Sequence, residues 1–165
     1  MEIPSPSDLL QLLVEASLAL AGFASIVVVI SEGGLSKLSD VQRLNLVNLL
    51  ATSFGALFSA LICLGLLAAS VDPAQVWQII SAFGLVMTLY FGVRGFRQIV
   101  RSTGYSSSTV LASLLINLPL LLVCGLLIWN VLGSSLFWPV FAWLGFLFLL
   151  GVFSFVRLIV FSRED

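Results

Sequence analysis

The fold class of this chain is decided by the stretch Leu9–Ile30, LLQLLVEASLALAGFASIVVVI. It carries one charged residue, Glu15, and is long enough to cross the hydrocarbon core of a bilayer, which requires about 20 apolar residues in a helix. Four similar stretches follow at residues 44–69, 76–93, 110–132 and 136–156. We therefore predict an all-α integral membrane protein with five transmembrane helices, short connections and a single domain over residues 1–165 without a soluble part.

The composition of the whole chain agrees with this prediction. Of its 165 residues, 60% are hydrophobic and only 9% are charged, whereas soluble domains carry about 25% charged residues. Histidine, the commonest general base and metal ligand, is absent. The two cysteines lie inside apolar runs, and the seven basic residues do not outnumber the eight acidic ones. We expect no enzyme, no metal, no cofactor and no nucleic-acid partner.

Turn and cap residues separate the predicted spans. Ser5 and Asp8 have the spacing of a capping box at the start of the first helix, and Asp72 before Pro73 is a start signal for the third. The run Gly133–Ser135 predicts a tight turn between the fourth and fifth helices.

The basic residues predict the orientation of the chain. They occur in the first and third connections and after the fifth span, at Lys37, Arg43, Arg94, Arg97, Arg101, Arg157 and Arg163. Because Lys and Arg are retained on the cytoplasmic side, the N-terminus is predicted outside and the C-terminus in the cytoplasm. The tryptophans agree with this orientation, since each falls at or near the predicted outer interface, at Trp77, Trp129, Trp138 and Trp143.

Arg94, Arg97 and Arg101 share one face at the inner end of the third helix. Arginines at a cytoplasmic interface fix topology and bind acidic headgroups, so we expect them to contact anionic lipids. Short multi-span chains of this composition are typical of bacteria, and we expect the bacterial plasma membrane as the location.

A polar stripe follows one side of the first predicted helix. Its members are spaced three or four residues apart, at Asp8, Gln11, Glu15, Ala19 and Gly22. Glu15 lies about 9 Å below the outer boundary at 1.5 Å per residue. An ionisable residue at such depth faces protein or water and is by default a functional candidate. The alternative is a Glu15 that is protonated or bonded to a neighbouring helix, while Ala19 and Gly22 only permit close packing.

The second predicted helix has a matching stripe, and the fourth has one polar intrusion. The second stripe consists of Asn45, Asn48, Thr52, Gly55 and Ser59, and the intrusion is Asn117, close to Pro119. Polar residues on transmembrane helices often hydrogen-bond between helices, which is the simpler interpretation. The alternative is a shared aqueous path.

Two functions remain open on these residues. The first is a small homo-oligomeric cation channel, in which Asp8, Gln11 and Glu15 line the outer mouth and Asn45, Asn48, Thr52, Ser59 and Asn117 line the deeper path. The second is a non-conducting accessory or scaffold protein whose polar stripes are packing surfaces between helices. Neutralising Glu15 distinguishes them, because only a channel changes its ion selectivity.

Overall fold

The computed structural model describes residues 4–30, 40–103 and 107–161, which form five helices and contain no strand. In chain order these helices are α1 (Pro6–Ile30), α2 (Asp40–Ala68), α3 (Pro73–Thr103), α4 (Ser107–Trp129) and α5 (Phe137–Phe161). Each predicted span coincides with one helix to within a few residues at most ends, so the all-α fold class is confirmed. The helix α3 continues beyond its predicted apolar span, which ends at residue 93, and is 31 residues long, so that Arg94, Arg97 and Arg101 lie at its C-terminal end as predicted.

Four of the helices contain stretches long and apolar enough to cross a membrane. Within the described residues these are Pro6–Ile26, Asn45–Ala68, Pro73–Val93 and Phe137–Arg157. The chain is therefore a multi-pass membrane protein. The corresponding apolar stretch near α4 is shorter, Leu118–Ser134, and its crossing stays a prediction.

The predicted helix starts are confirmed in their atomic detail. Ser5 Oγ accepts a hydrogen bond from the Asp8 backbone N–H at 3.2 Å, and Asp8 Oδ2 accepts one from the Ser5 N–H at 2.9 Å. This reciprocal pair is a capping box, which satisfies donors that a helix start leaves unpaired. At α3, the Asp72 carboxylate accepts a bond from the Ala74 N–H at 3.2 Å. The predicted first connection covers residues 31–43, of which residues 31–39 lie outside the described residues and residues 40–43 form the first turn of α2.

The chain divides into two compact units, and the boundary falls inside α5. The first unit comprises Met1–Ser70 and Leu144–Asp165, and the second comprises Val71–Trp143. The core of the first unit joins α1, α2 and the later part of α5, with Leu20, Ala24, Leu46, Leu49, Phe148, Val152 and Phe155. A Cβ at Gly151 would lie 3.1 Å from both Thr52 Oγ1 and Ser53 Oγ. The missing side chain thus lets α5 approach α2 closely.

The second unit is organised around Trp143, whose side chain is 1% exposed. A Cβ at Gly84 of α3 would lie 2.9 Å from two atoms of the Trp143 ring, so the indole occupies the space that a side chain at residue 84 would fill. The Trp143 indole N–H donates a hydrogen bond to Thr88 Oγ1 at 3.0 Å. These contacts fix the first turns of α5 against α3.

The connection between α4 and α5 is a wide turn over Asn130–Ser134. Gly133 has φ 153° and ψ −2°, a conformation open to glycine, and Ser135 follows in the left-handed region with φ 47°. The glycine–serine turn predicted here is confirmed. The regular α-helix before it ends at Trp129, and the backbone leaves helical geometry at Gly133.

Candidate functional site

The α1 stripe, defined as Asp8, Gln11, Glu15, Ala19 and Gly22, lies entirely on the exposed side of its helix. The opposite side is buried and carries Leu10, Leu13, Ser17, Leu20 and Ala24. No heavy atom lies within 4 Å of the position that a Cβ on Gly22 would take. Within one copy of the chain, the polar side of α1 therefore faces outward.

Two side-chain interactions occupy the acids of this stripe. Gln11 Nε2 donates a hydrogen bond to Glu15 Oε1 at 3.2 Å, which joins residues one helical turn apart. Asp8 Oδ2 also accepts a 2.7 Å bond from the Ser5 hydroxyl, within the capping box. Asp8 is thus a structural cap as well as a candidate pore residue, whereas the hydrogen bond that Glu15 accepts comes from its own helix.

The second predicted stripe does not share one environment. Asn45 and Ser59 are buried, Asn48 is exposed, and Thr52 and Gly55 are half-buried. The Thr52 hydroxyl donates to the Asn48 carbonyl at 2.9 Å, within its own helix. A Cβ on Gly55 would lie 3.8 Å from a methyl group of Leu147. Much of this stripe therefore contributes to packing within the first unit.

The remaining predicted residues lie at the edge of what the structure describes. Asn117 lies within α4, and Arg94, Arg97 and Arg101 lie within the last turns of α3. Their side chains are outside the described part of the structure, so a path lined by Asn117 and lipid contacts by the arginines stay predictions.

Among the described residues, Asn130 makes several side-chain hydrogen bonds. The sequence analysis counted it as part of an apolar span. It is fully buried. Its Nδ2 donates to Ser81 Oγ at 2.8 Å and to the Leu136 carbonyl at 3.0 Å. Its Oδ1 accepts from the Leu136 N–H at 2.6 Å and from the Ser134 hydroxyl at 2.8 Å. One amide thereby joins α3 to the turn before α5. The sequence analysis did not use the signal for this role, which is an asparagine beside a glycine–serine turn.

The four tryptophans fall into two classes, which corrects their interpretation as a single set of interface anchors. Trp129 and Trp138 are 55% and 60% exposed, whereas Trp77 and Trp143 are 6% and 1% exposed. The Trp77 ring meets Phe137 edge-on, with 5.2 Å between ring centroids. Trp77 and Trp143 are packing residues of the second unit, and only the other two can present an indole to a headgroup layer.

Thiol and metal chemistry finds little support in the described residues. Cys63 and Cys124 are both free and buried. In this part of the chain no cluster of three or more His, Cys, Asp or Glu residues is arranged to hold a metal ion.

Comparisons with protein-family models, with curated proteins and with solved structures give no match. The candidate site is therefore the α1 stripe, judged by its own geometry.

Proposed function

We propose that this chain assembles with copies of itself into a cation-selective pore whose outer part is lined by the α1 stripe. The observation that carries the proposal is the placement of this stripe on the exposed side of α1, while the other side of the helix is buried. In a single copy, Glu15, the acid predicted to lie deepest in the membrane, is therefore exposed and requires another surface to cover it.

The physical reason is the cost of an acid in hydrocarbon. Glu15 lies two helical turns into the apolar stretch Pro6–Ile26. Ionisable groups within such segments face protein or water, since contact with lipid is expensive. The hydrogen bond from Gln11 satisfies part of the carboxylate only, and polar surroundings beyond this chain must satisfy the rest.

Further copies of the same chain meet this requirement by symmetry. Around a rotation axis each copy brings its own Glu15, and a ring of carboxylates is the side-chain device of cation pores. The open space at Gly22 and the small Ala19 allow neighbouring helices to approach closely deeper in the membrane. Such an approach would narrow the proposed pore below Glu15, and the proposal places Asn48 and Thr52 as secondary lining candidates.

The orientation belongs to the same proposal. With the basic connections in the cytoplasm, the N-terminus and the Glu15 ring lie on the outer side of a bacterial plasma membrane. Arg94, Arg97 and Arg101 then contact anionic headgroups at the inner side. Five crossings, the fourth through α4, support termini on opposite sides.

A second candidate function is a non-conducting accessory protein. The observation that favours it is the packing role of α2, where Gly55 contacts Leu147 and Ser59 is buried. If the α1 stripe serves the same purpose, its covering surface is another membrane protein and no ion path exists.

The reversal potential of the purified protein in planar bilayers under a KCl gradient tests the proposal. We expect cation-selective current in the wild type and a reversal potential closer to zero in Glu15→Gln, which removes one negative charge per copy. Asp72→Asn is the matched control, because it makes the same charge change and an asparagine still caps α3. We expect Asp72→Asn to keep most of the selectivity.

Oligomer mass in detergent accompanies the electrical measurement. A folded oligomer that is silent, or a monomeric wild type, contradicts the pore and favours the accessory function. Equal shifts in Glu15→Gln and Asp72→Asn contradict a pore lined by the α1 stripe, because they reduce the effect to general surface charge.

A further inference from the structure

An apolar groove lies beside the turn between α4 and α5, within the second unit. Its volume is about 300 Å³, near the lower end of ligand pockets in proteins. Leu126 and Trp129 of α4 form one wall, and Trp138 and Ala142 of α5 form the other. Every lining residue is aliphatic, aromatic or proline. The occupant must therefore be apolar, because water does not fill a site without polar partners.

The groove is held open by the hydrogen bonds of Asn130. The Asn130 side chain donates a hydrogen bond to the Leu136 carbonyl and accepts one from the Leu136 N–H, which fixes the backbone there. Leu136 also lines the groove. Gly133 and Ser135 set the turn in conformations with positive φ. A wall fixed in this way spares an occupant the ordering cost of forming the site.

We propose that this groove binds one acyl chain of a phospholipid. The stretch Phe137–Arg157 is long and apolar enough to cross the membrane, so lipid surrounds its outer surface. Trp129 and Trp138 line the groove and are more than half exposed, and exposed indoles favour the headgroup level. The acyl chain of the lipid thus enters from the interface, with the lipid headgroup beside the indoles and the methylenes along Leu126 and Ala142.

The affinity of the site comes from shape. Lipid tails are as apolar as leucine, so moving a chain from bulk lipid into the groove gains packing contacts and little hydrophobic free energy. A substitution that fills the groove removes these contacts. Ala142→Phe does so from α5, at a residue that is exposed and therefore tolerates a larger side chain without overpacking a core.

The test uses phosphatidylcholine with a dibrominated acyl chain, titrated into the protein in dodecylmaltoside micelles. Bromine quenches indoles on contact, so Trp129 and Trp138 report the groove while Trp77 and Trp143 are buried background. We expect a saturable phase at one lipid per chain and one retained lipid in native mass spectrometry. Ala142→Phe should weaken this phase about tenfold, and Leu126→Phe, which narrows the groove from α4, should act in the same direction.

Ala82→Phe is the matched control, since Ala82 is an exposed residue of α3 in the same unit and does not line the groove. It should change the affinity by about twofold at most. Quenching that rises without saturation in all variants assigns only bulk lipid to the surface and overturns the proposal. Crosslinking of Ala142→Cys chains into dimers, with no saturable quenching, assigns the groove to a second copy and also overturns it.

Discussion

Buried polar side chains of the second unit are hydrogen-bonded, whereas in the first unit Ser17, Asn45 and Ser53 each have a buried polar atom without a partner among the described residues. In the second unit, Asn130, Ser81 and Thr88 are buried. The Asn130 amide donates a hydrogen bond to Ser81 Oγ, and Thr88 Oγ1 accepts one from the indole N–H of Trp143. In the first unit, Ser17 and Ser53 are fully buried, and their hydroxyls have no hydrogen-bond partner among the described residues.

The difference lies in whether a partner is within reach, because Asn45 in the first unit carries the same amide as Asn130 and its Nδ2 has no partner among the described residues. An amide has two donors and a carbonyl, and leaving it unpaired in an apolar interior is costly, so Asn130 dictates where the turn and Ser81 lie. A serine hydroxyl is small, and a serine also lets helices approach closely. The second unit is therefore specified by directed hydrogen bonds, and the first by apolar packing around small residues.

The largest expected effect is on Asn130→Ala. This change removes bonds to Ser81, Ser134 and the Leu136 backbone at a fully buried site. We expect a loss of about 2–4 kcal/mol in the free energy of unfolding, measured by denaturant titration in detergent. Asn48→Ala, the same change at an exposed asparagine, should lose much less. Equal losses of unfolding free energy in the two variants would contradict the comparison, because the hydrogen bonds of the Asn130 amide would then add nothing to stability.

A smaller effect is expected for Gly84→Ala. The added methyl would lie 2.9 Å from the ring of Trp143, which cannot move away easily because its indole N–H is bonded to Thr88. Overpacking of this kind costs about 1–3 kcal/mol, less the gain in helix propensity. Gly125→Ala, with open space around it, is the control and should keep or slightly raise the melting temperature. A stable Gly84→Ala protein would mean that the indole is free to shift.

The smallest effect is expected for Ser17→Ala and Ser53→Ala in the first unit. Removing a buried hydroxyl without a partner should leave the free energy of unfolding within about 0.5 kcal/mol or raise it. Ser81→Ala, which deletes an acceptor of Asn130, should instead lower it. A clear loss in both first-unit variants would show that their hydroxyls are bonded after all, and it would remove the contrast between the units.

The sequence predicted the helices well because their signals are local. Apolar length identified the spans, and the spacing of Ser5 and Asp8 identified a cap that the structure forms with the predicted atoms. The apolar span predicted for α3 ends at residue 93, and the helix continues to Thr103 with Arg94, Arg97 and Arg101 in its last turns, in agreement with their predicted place at this end of the helix. A charged helix end beyond the apolar core has no hydropathy signal.

The partners of polar residues could not be predicted, because they depend on which helices meet. Helical spacing predicted that Asp8, Gln11 and Glu15 share a face, and they do. It also grouped Asn45 with Asn48, although one is buried and the other exposed. Thr88 accepts a hydrogen bond from the indole N–H of Trp143, 55 residues later, which no local spacing indicates. Only the packed structure brings such pairs together.

The burial of both cysteines has a practical consequence for spectroscopy. Cys63 is 0% exposed and Cys124 is 8% exposed, so neither native sulfur is open to attack by a maleimide or a methanethiosulfonate reagent in the folded protein. A single new thiol on the α1 stripe would then carry a spin label or a fluorophore almost alone. The native chain is thereby a ready background for measuring whether water, lipid or another copy touches that side of α1.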